Sequence, residues 1–330
     1  MRIVYLVLFP LNNKNKKSGE KKDGLIKRAP YFLDLDISVE KIAKNHFEIF
    51  DQKVVEHAFI YDESVFVIQY EYEIGPSLTE EVFDLKIKLN DELKSLAAAN
   101  YNAPGKLIEE YTILLIDKVG KIDDFVEKNQ FLLARFVRSL EKKVNKADAD
   151  EILTSKVSYS KDDVAIVDWE GAILIDPEGD FESQIELLKI GNYQLVRYRV
   201  LDLKIEKSLE DIRRAVSMGK RKIFSTSFIK SAMENKLSVL LDFDKVDQSL
   251  LLVGDWYSSN LYRTIMQEFY IDDWRDLIKN KLENLENIDA TAREHLVYDW
   301  NRILDILQLV GWMVLLVGYI VLYFKDAGLF

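Results

Sequence analysis

Nineteen residues from Ile306 to Phe324, ILQLVGWMVLLVGYIVLYF, run without a charge, and Gln308 is the one strongly polar side chain among them. As a helix rising 1.5 Å per residue they span roughly 28 Å, close to the hydrocarbon thickness of a bilayer. Twelve are Leu, Ile, Val or Phe, which gives an insertion drive of roughly −4 to −7 kcal/mol. The run predicts one C-terminal transmembrane helix over 306–324, with a short tail at 325–330 and the lipid bilayer as a partner. Trp312, Tyr319, Tyr323 and Phe324 are the aromatic residues of the run. Gly311 and Gly318 are seven residues apart and share a face, so they are the candidates for close helix packing in the membrane. No small-residue cleavage site follows the opening MRIVYLVLFP, which reads as a strand. The bulk of the chain is therefore expected on the side of synthesis, the cytoplasmic side.

Ahead of the run, residues 1–120 read as βαββαβ, a ferredoxin-like α+β domain. Arg2 to Phe9 is a strand, and Val39 to Phe50 carries Ile42, His46 and Ile49 at helical spacing. Val54 to Tyr61 and Val65 to Ile74 are strands about the turn Asp62-Glu63-Ser64. Ser77 and Glu80 form a capping-box pair opening a helix with Val82, Leu85, Leu89, Leu93 and Leu96. Tyr111 to Asp117 is the last strand of this unit. Residues 121–217 read as a helix, a β-hairpin (VAIVDW, then AILID, joined at Glu170-Gly171) and a long buried helix ending near Gly219. Residues 218–305 read as a helical hairpin stalk. Its second arm repeats apolar residues from Trp274 to Ile303 at steps of three or four and continues into the terminal run.

A net charge of −11 argues against general nucleic-acid binding. The basic segment 14–28 has no interleaved aromatics and reads as a solvated insertion. The absence of cysteine removes disulfides and thiolate metal sites, and His46, His57 and His295 have no metal-ligand spacing. Phosphate-loop, nucleophile-elbow, zinc-protease and dinucleotide motifs are missing as well. No cofactor is expected.

The candidate polar cluster lies on the helix after the hairpin. Asn192, Arg199 and Asp202 share a stripe with Leu188 and Leu195, and Arg199 can pair with Asp202 at i, i+3. This pattern fits a satisfied core network or a polar ligand pocket. Asp163 and Asp168 belong to a group of hairpin acids that fits either turn chemistry or oxygen ligation of a divalent cation. His57, between Val55 and Phe59 on a strand, reads as a half-buried histidine.

VSYSKDDVAIVDWEGAILID (Val157 to Asp176), Gly191-Asn192-Tyr193-Gln194-Leu195, the Arg199 and Asp202 pair and the terminal helices together resemble the required-for-meiotic-nuclear-division family. The resemblance lies mainly in the C-terminal half and implies a tethered scaffold or assembly factor, with no named reaction. A second likeness is architectural: an α/β body followed by long helices and a membrane helix resembles the CorA-type magnesium transporters, though Gly311-Trp312-Met313 is not their signature. The expected function is a scaffold, tether or assembly factor with a protein partner or self-association through the stalk. The alternatives are a ligand- or nucleotide-processing enzyme using Asn192, Arg199 and Asp202, and a homo-oligomeric channel subunit.

Overall fold

The computed structural model describes residues 1–11, 37–217 apart from 104, 106 and 118, the isolated residues 237, 238 and 241, and 256–326. The basic segment 14–28, Gly219 and the helical series beginning at Val246 lie outside the described residues up to Trp256. The described elements are β1 (Arg2–Pro10), β2 (Val39–Ile49), β3 (Gln52–Tyr61), β4 (Val65–Glu73), α1 (Glu80–Tyr101), β5 (Glu109–Ile116), α2 (Ile122–Val137), α3 (Lys146–Ile152), β6 (Lys156–Val157), β7 (Val164–Val167), β8 (Gly171–Ile175), α4 (Glu182–Ser217), α5 (Trp256–Glu268) and α6 (Ile271–Asp326). The strands form one eight-stranded sheet in the order β2-β3-β4-β1-β5-β8-β7-β6. Neighbours are antiparallel except β5 and β8, which run parallel.

Both faces of the sheet are covered. Ile3, Tyr5, Val7 and Phe9 of β1 join Phe66, Ile68 and Tyr70 of β4 in a core with Phe83, Leu89 and Leu93 of α1 and Leu133 and Phe136 of α2. The alternate residues Val4, Leu6 and Leu8 are also buried, on the opposite face. There α4 sets the Lys189 ammonium 4.8 Å from the Phe59 ring centre, and Phe269, just after α5, packs edge-on to Tyr111 and Trp169. Burial on two sides explains why β1 is a continuous apolar run: neither set of alternating positions meets water.

The α+β class, β1, β3, β4, α1, β5 and the 164–175 hairpin agree with the sequence reading. The ferredoxin-like order does not hold, because residues 39–49 form a strand where a helix is expected. The apolar residues of β2 keep helical spacing because a bulge between Lys41 and Ala43 shifts the register, so Ile42, Ala43, Phe47 and Ile49 all pack toward the core. Its turn to β3 is Phe50-Asp51, with both residues at positive φ, a hairpin geometry without the usual glycine. The helix after β4 is capped by Thr79, whose side chain accepts from Val82 N, in place of Ser77. The hairpin strands β7 and β8 extend the sheet through the parallel β5–β8 pairing.

The transmembrane helix, and with it the single-pass tail anchor, is corrected. Among the described residues no helix is long and apolar enough to cross a membrane. Residues 306–324 are the end of α6, a single 56-residue helix. Gly311 and Gly318 lie in this stretch with open space where a side chain would begin.

The chain divides into two compact units, one of residues 1–204 and 237–278, the other of 205–236 and 279–330. The first contains the whole sheet. In the second, Lys281 Nζ of α6 lies 3.1 Å from Glu206 Oε1 of α4.

Candidate functional site

Within the sheet unit, polar side chains gather where α1 crosses β5 and meets the end of α2. Helix α1 places Lys86, Asn90 and Lys94 at steps of four, one above another on the face that meets the sheet. Asn90 Nδ2 donates to Thr112 Oγ1 (3.0 Å) and its Oδ1 accepts from the Tyr72 hydroxyl (2.9 Å). Lys94 pairs with Glu110, which also accepts from the Tyr5 hydroxyl (2.5 Å). Lys86 is wholly buried; its Nζ donates to Phe136 O (3.2 Å) and Ser139 Oγ (2.5 Å) and lies 4.9 Å from the centre of the Phe136 ring.

These contacts close the C-terminus of α2, whose last carbonyls have no partner inside the helix. Lys86 takes Phe136 O, and Arg135 donates to the carbonyls of Leu140 and Glu141 while pairing with Glu80. Ser139 turns the chain at φ 48°. Arg138 then forms a two-pronged pair with Asp168 (Nε to Oδ1 2.9 Å, the second nitrogen to Oδ2 2.8 Å). Asp168 is almost fully buried, and its carbonyl accepts from the Tyr111 hydroxyl.

Burial dominates the protonation equilibria here. It lowers the Lys86 ammonium to about 8, against the opposing pull of Glu170 and Glu110. It raises the Glu170 carboxyl, helped by the negative charge of Asp168 and opposed by Lys86 and Arg138. Paired shifts of this kind occur at functional sites. Lys86, however, is enclosed and already shared between two acceptors, so the contacts hold the end of α2 against α1.

The expected cluster on α4 is dispersed. Asn192 is buried and donates back to Leu188 O (2.9 Å) within its own helix. Arg199 pairs with Glu109 of β5, and burial lowers its pKa. Glu109 and Glu110 are consecutive on a strand and point to opposite faces, which puts Arg199 and Asp168 on opposite sides of the sheet. Elsewhere on α4, Glu186 pairs with Lys189 and accepts from the Tyr61 hydroxyl. His57 lies 4.0 Å from Glu71, and burial lowers its pKa.

Asp163 is in turn chemistry: its carboxylate accepts from the backbone N–H groups of Tyr159 and Ser160. The same loop borders a cleft of about 590 Å³ lined by Lys121, Asp123, Asp124, Ser158, Lys161 and Asp162 among others. Among the described residues no group of three or more histidines or acids is placed to hold a metal ion.

Sequence reasoning missed Lys86, Asn90 and Arg138, and named Glu170 only as one of the hairpin acids. The available signal was the four-residue spacing of Lys86, Asn90 and Lys94 beside the leucine stripe of α1. That spacing is shared by any solvated helix face.

The chain is similar over residues 28–182 to a family described as "Uncharacterized protein MJ0711, N-terminal domain". The uncharacterized protein MJ0711 of Methanocaldococcus jannaschii is 28% identical over 227 residues, 68% of this chain and 69% of that protein. No solved structure matches. The similarity is thus to proteins of unknown function. The matched residues include the hairpin Val157 to Asp176 and stop at Glu182, before Gly191, Asn192 and Arg199.

Proposed function

We propose that this chain is a scaffold or assembly factor that works by holding a protein partner along helix α6. One observation carries this reading: the described stretch of α6 from 306 to 320 is uncharged, with Gln308 its one strongly polar side chain, and exposed, with Leu307, Trp312, Leu315 and Tyr319 each at least 68% accessible. The stretch presents on the order of 10³ Å² of apolar surface, where the largest patch on a monomeric protein is a few hundred. Such a surface is stable only when covered. The charged groups of the sheet unit give a second line of support. Lys86, Arg138, Asp168, Lys94 and Arg199 are engaged in internal pairs that position helices. The reading also agrees with the scaffold role implied by the resemblance to the required-for-meiotic-nuclear-division family.

The test is the native mass of the full chain, purified under mild conditions. The parent is expected in an assembly heavier than its own 38.5 kDa, and V310E together with V317E is expected to return it to single-chain mass with the melting of the sheet unit unchanged. A parent that already runs at single-chain mass refutes the proposal, as does a double variant that keeps the assembly intact.

A further inference from the structure

We propose that Ser139 and Lys86 form a nucleophile and base pair that hydrolyses an activated acyl ester, an activity separate from the partner-holding role of α6 and independent of it. The Ser139 Oγ lies 2.5 Å from Lys86 Nζ, which Phe136 O holds from another side at 3.2 Å. A nucleophile within hydrogen-bond reach of a base that a third group orients is the arrangement acyl transfer requires. The serine sits just past the end of α2 at φ 48°, a conformation that costs free energy in a residue other than glycine. Ser139 is half-buried while Lys86 is enclosed, so an incoming carbonyl meets the hydroxyl and not the amine. Glu170 and Glu110 face Lys86 from the sheet, and Arg135 shares the Phe83 ring with it. Burial outweighs the two acids and brings the ammonium to about 8, so a usable share of Lys86 is unprotonated near neutral pH. In that form Nζ still donates to Phe136 O and turns its lone pair to the Ser139 hydroxyl. Ser139 Oγ bonds to the acyl carbon and its proton passes to Nζ. The bond to the departing alkoxide breaks, and the alkoxide leaves with that proton. Water then cleaves the serine ester by the same proton route and returns Ser139 to its hydroxyl. Leu140, 37% exposed, follows the serine in the chain and offers apolar surface to a short acyl group.

The full chain is mixed with p-nitrophenyl acetate, and p-nitrophenol release is followed together with peptide masses that locate the acetyl group. Acetylation of Ser139 is expected, at a rate that climbs as pH passes about 8 and levels above it. S139A should abolish this phase of release in a chain that still melts cooperatively. K86R keeps the positive charge but does not give up its proton, and should slow Ser139 acetylation by about 10²-fold. Acetyl groups on lysines alone overturn the proposal, as does S139A releasing p-nitrophenol at the parental rate. So does a folded parent whose Ser139 reacts no faster than in urea. Should K86R fail to fold, the parental profile decides: Ser139 acetylation without an inflection near 8 overturns the proposal.

Discussion

A methyl group added at Gly171 would sit 2.6 Å from Val137 O and 2.7 Å from Thr112 O, whereas one added at Gly311 or Gly318 would meet nothing within 4 Å. The sheet unit and the end of α6 differ in this way throughout. In the sheet unit both faces are filled, and buried polar groups such as Asn90, Lys86 and Asp168 have partners at hydrogen-bond distance. Along 306–320 the side chains are uncharged and exposed. The sheet unit buries its apolar side chains within itself, while the described apolar side chains of the terminal stretch are exposed.

The largest effect is expected where the sheet unit is tightest. G171A brings a side chain against two backbone oxygens that cannot move independently, and should cost about 3 kcal/mol, read as a fall in the denaturation midpoint. A variant within a few tenths of the parent would break the contrast at its stronger end. The next effect is pH-dependent. Lys86 has its folded-state pKa lowered to about 8 from its ordinary value near 10.4. Between those values the unfolded chain binds more protons than the folded one, so stability rises with pH, by up to about 3 kcal/mol across the window. The slope is best read between pH 8 and 10, before the tyrosines of the unfolded chain ionise; Tyr5, Tyr61 and Tyr111 are raised by burial when folded and act in the opposite direction above that point. K86M should remove the rise, and a K86M profile parallel to the parent's would assign the slope elsewhere.

G191A should be milder. Its new methyl would lie 2.4 Å from Ile265 Cγ2 and 3.1 Å from the Phe269 ring, both side-chain atoms that can give way, so a loss of about 1–2 kcal/mol in thermal unfolding is expected. The smallest change is expected from G311A and G318A, which should cost the sheet unit nothing. They should raise helix stability by about 0.8–1 kcal/mol each, seen as unchanged or increased helical ellipticity. A sharp loss of helix from either one would mean that its surroundings are already filled, and the two regions would no longer differ.

The legible parts of the fold are those whose signals are local. The 164–175 hairpin shows two β-rich runs about a glycine, and α1 shows its leucine stripe, so both agree with expectation. Strand β2 was illegible because the Lys41/Ala43 bulge gives a strand the spacing of a helix, and because its turn uses Phe50 and Asp51 where a glycine signal is usual. The polar seam was illegible for another reason. Lys86 and Phe136 are 50 residues apart, and Arg138 and Asp168 are 30, so neither side of a pair marks the other. Of the expected site residues, Asp168 has a two-pronged pair, but with Arg138, which no local pattern singled out.

By itself the sequence determined which segments must be buried, that this chain has no cysteine, and that residues 306–324 form an uncharged apolar run. Periodicity and composition act through neighbours within a few residues, and they are sufficient for those points. Only the tertiary structure decided that β8 lies parallel to β5, that Arg199 meets Glu109, and that the described end of α6 stands exposed within one long helix. Each of these depends on which distant surfaces meet, and that choice comes from burying two faces of one sheet together.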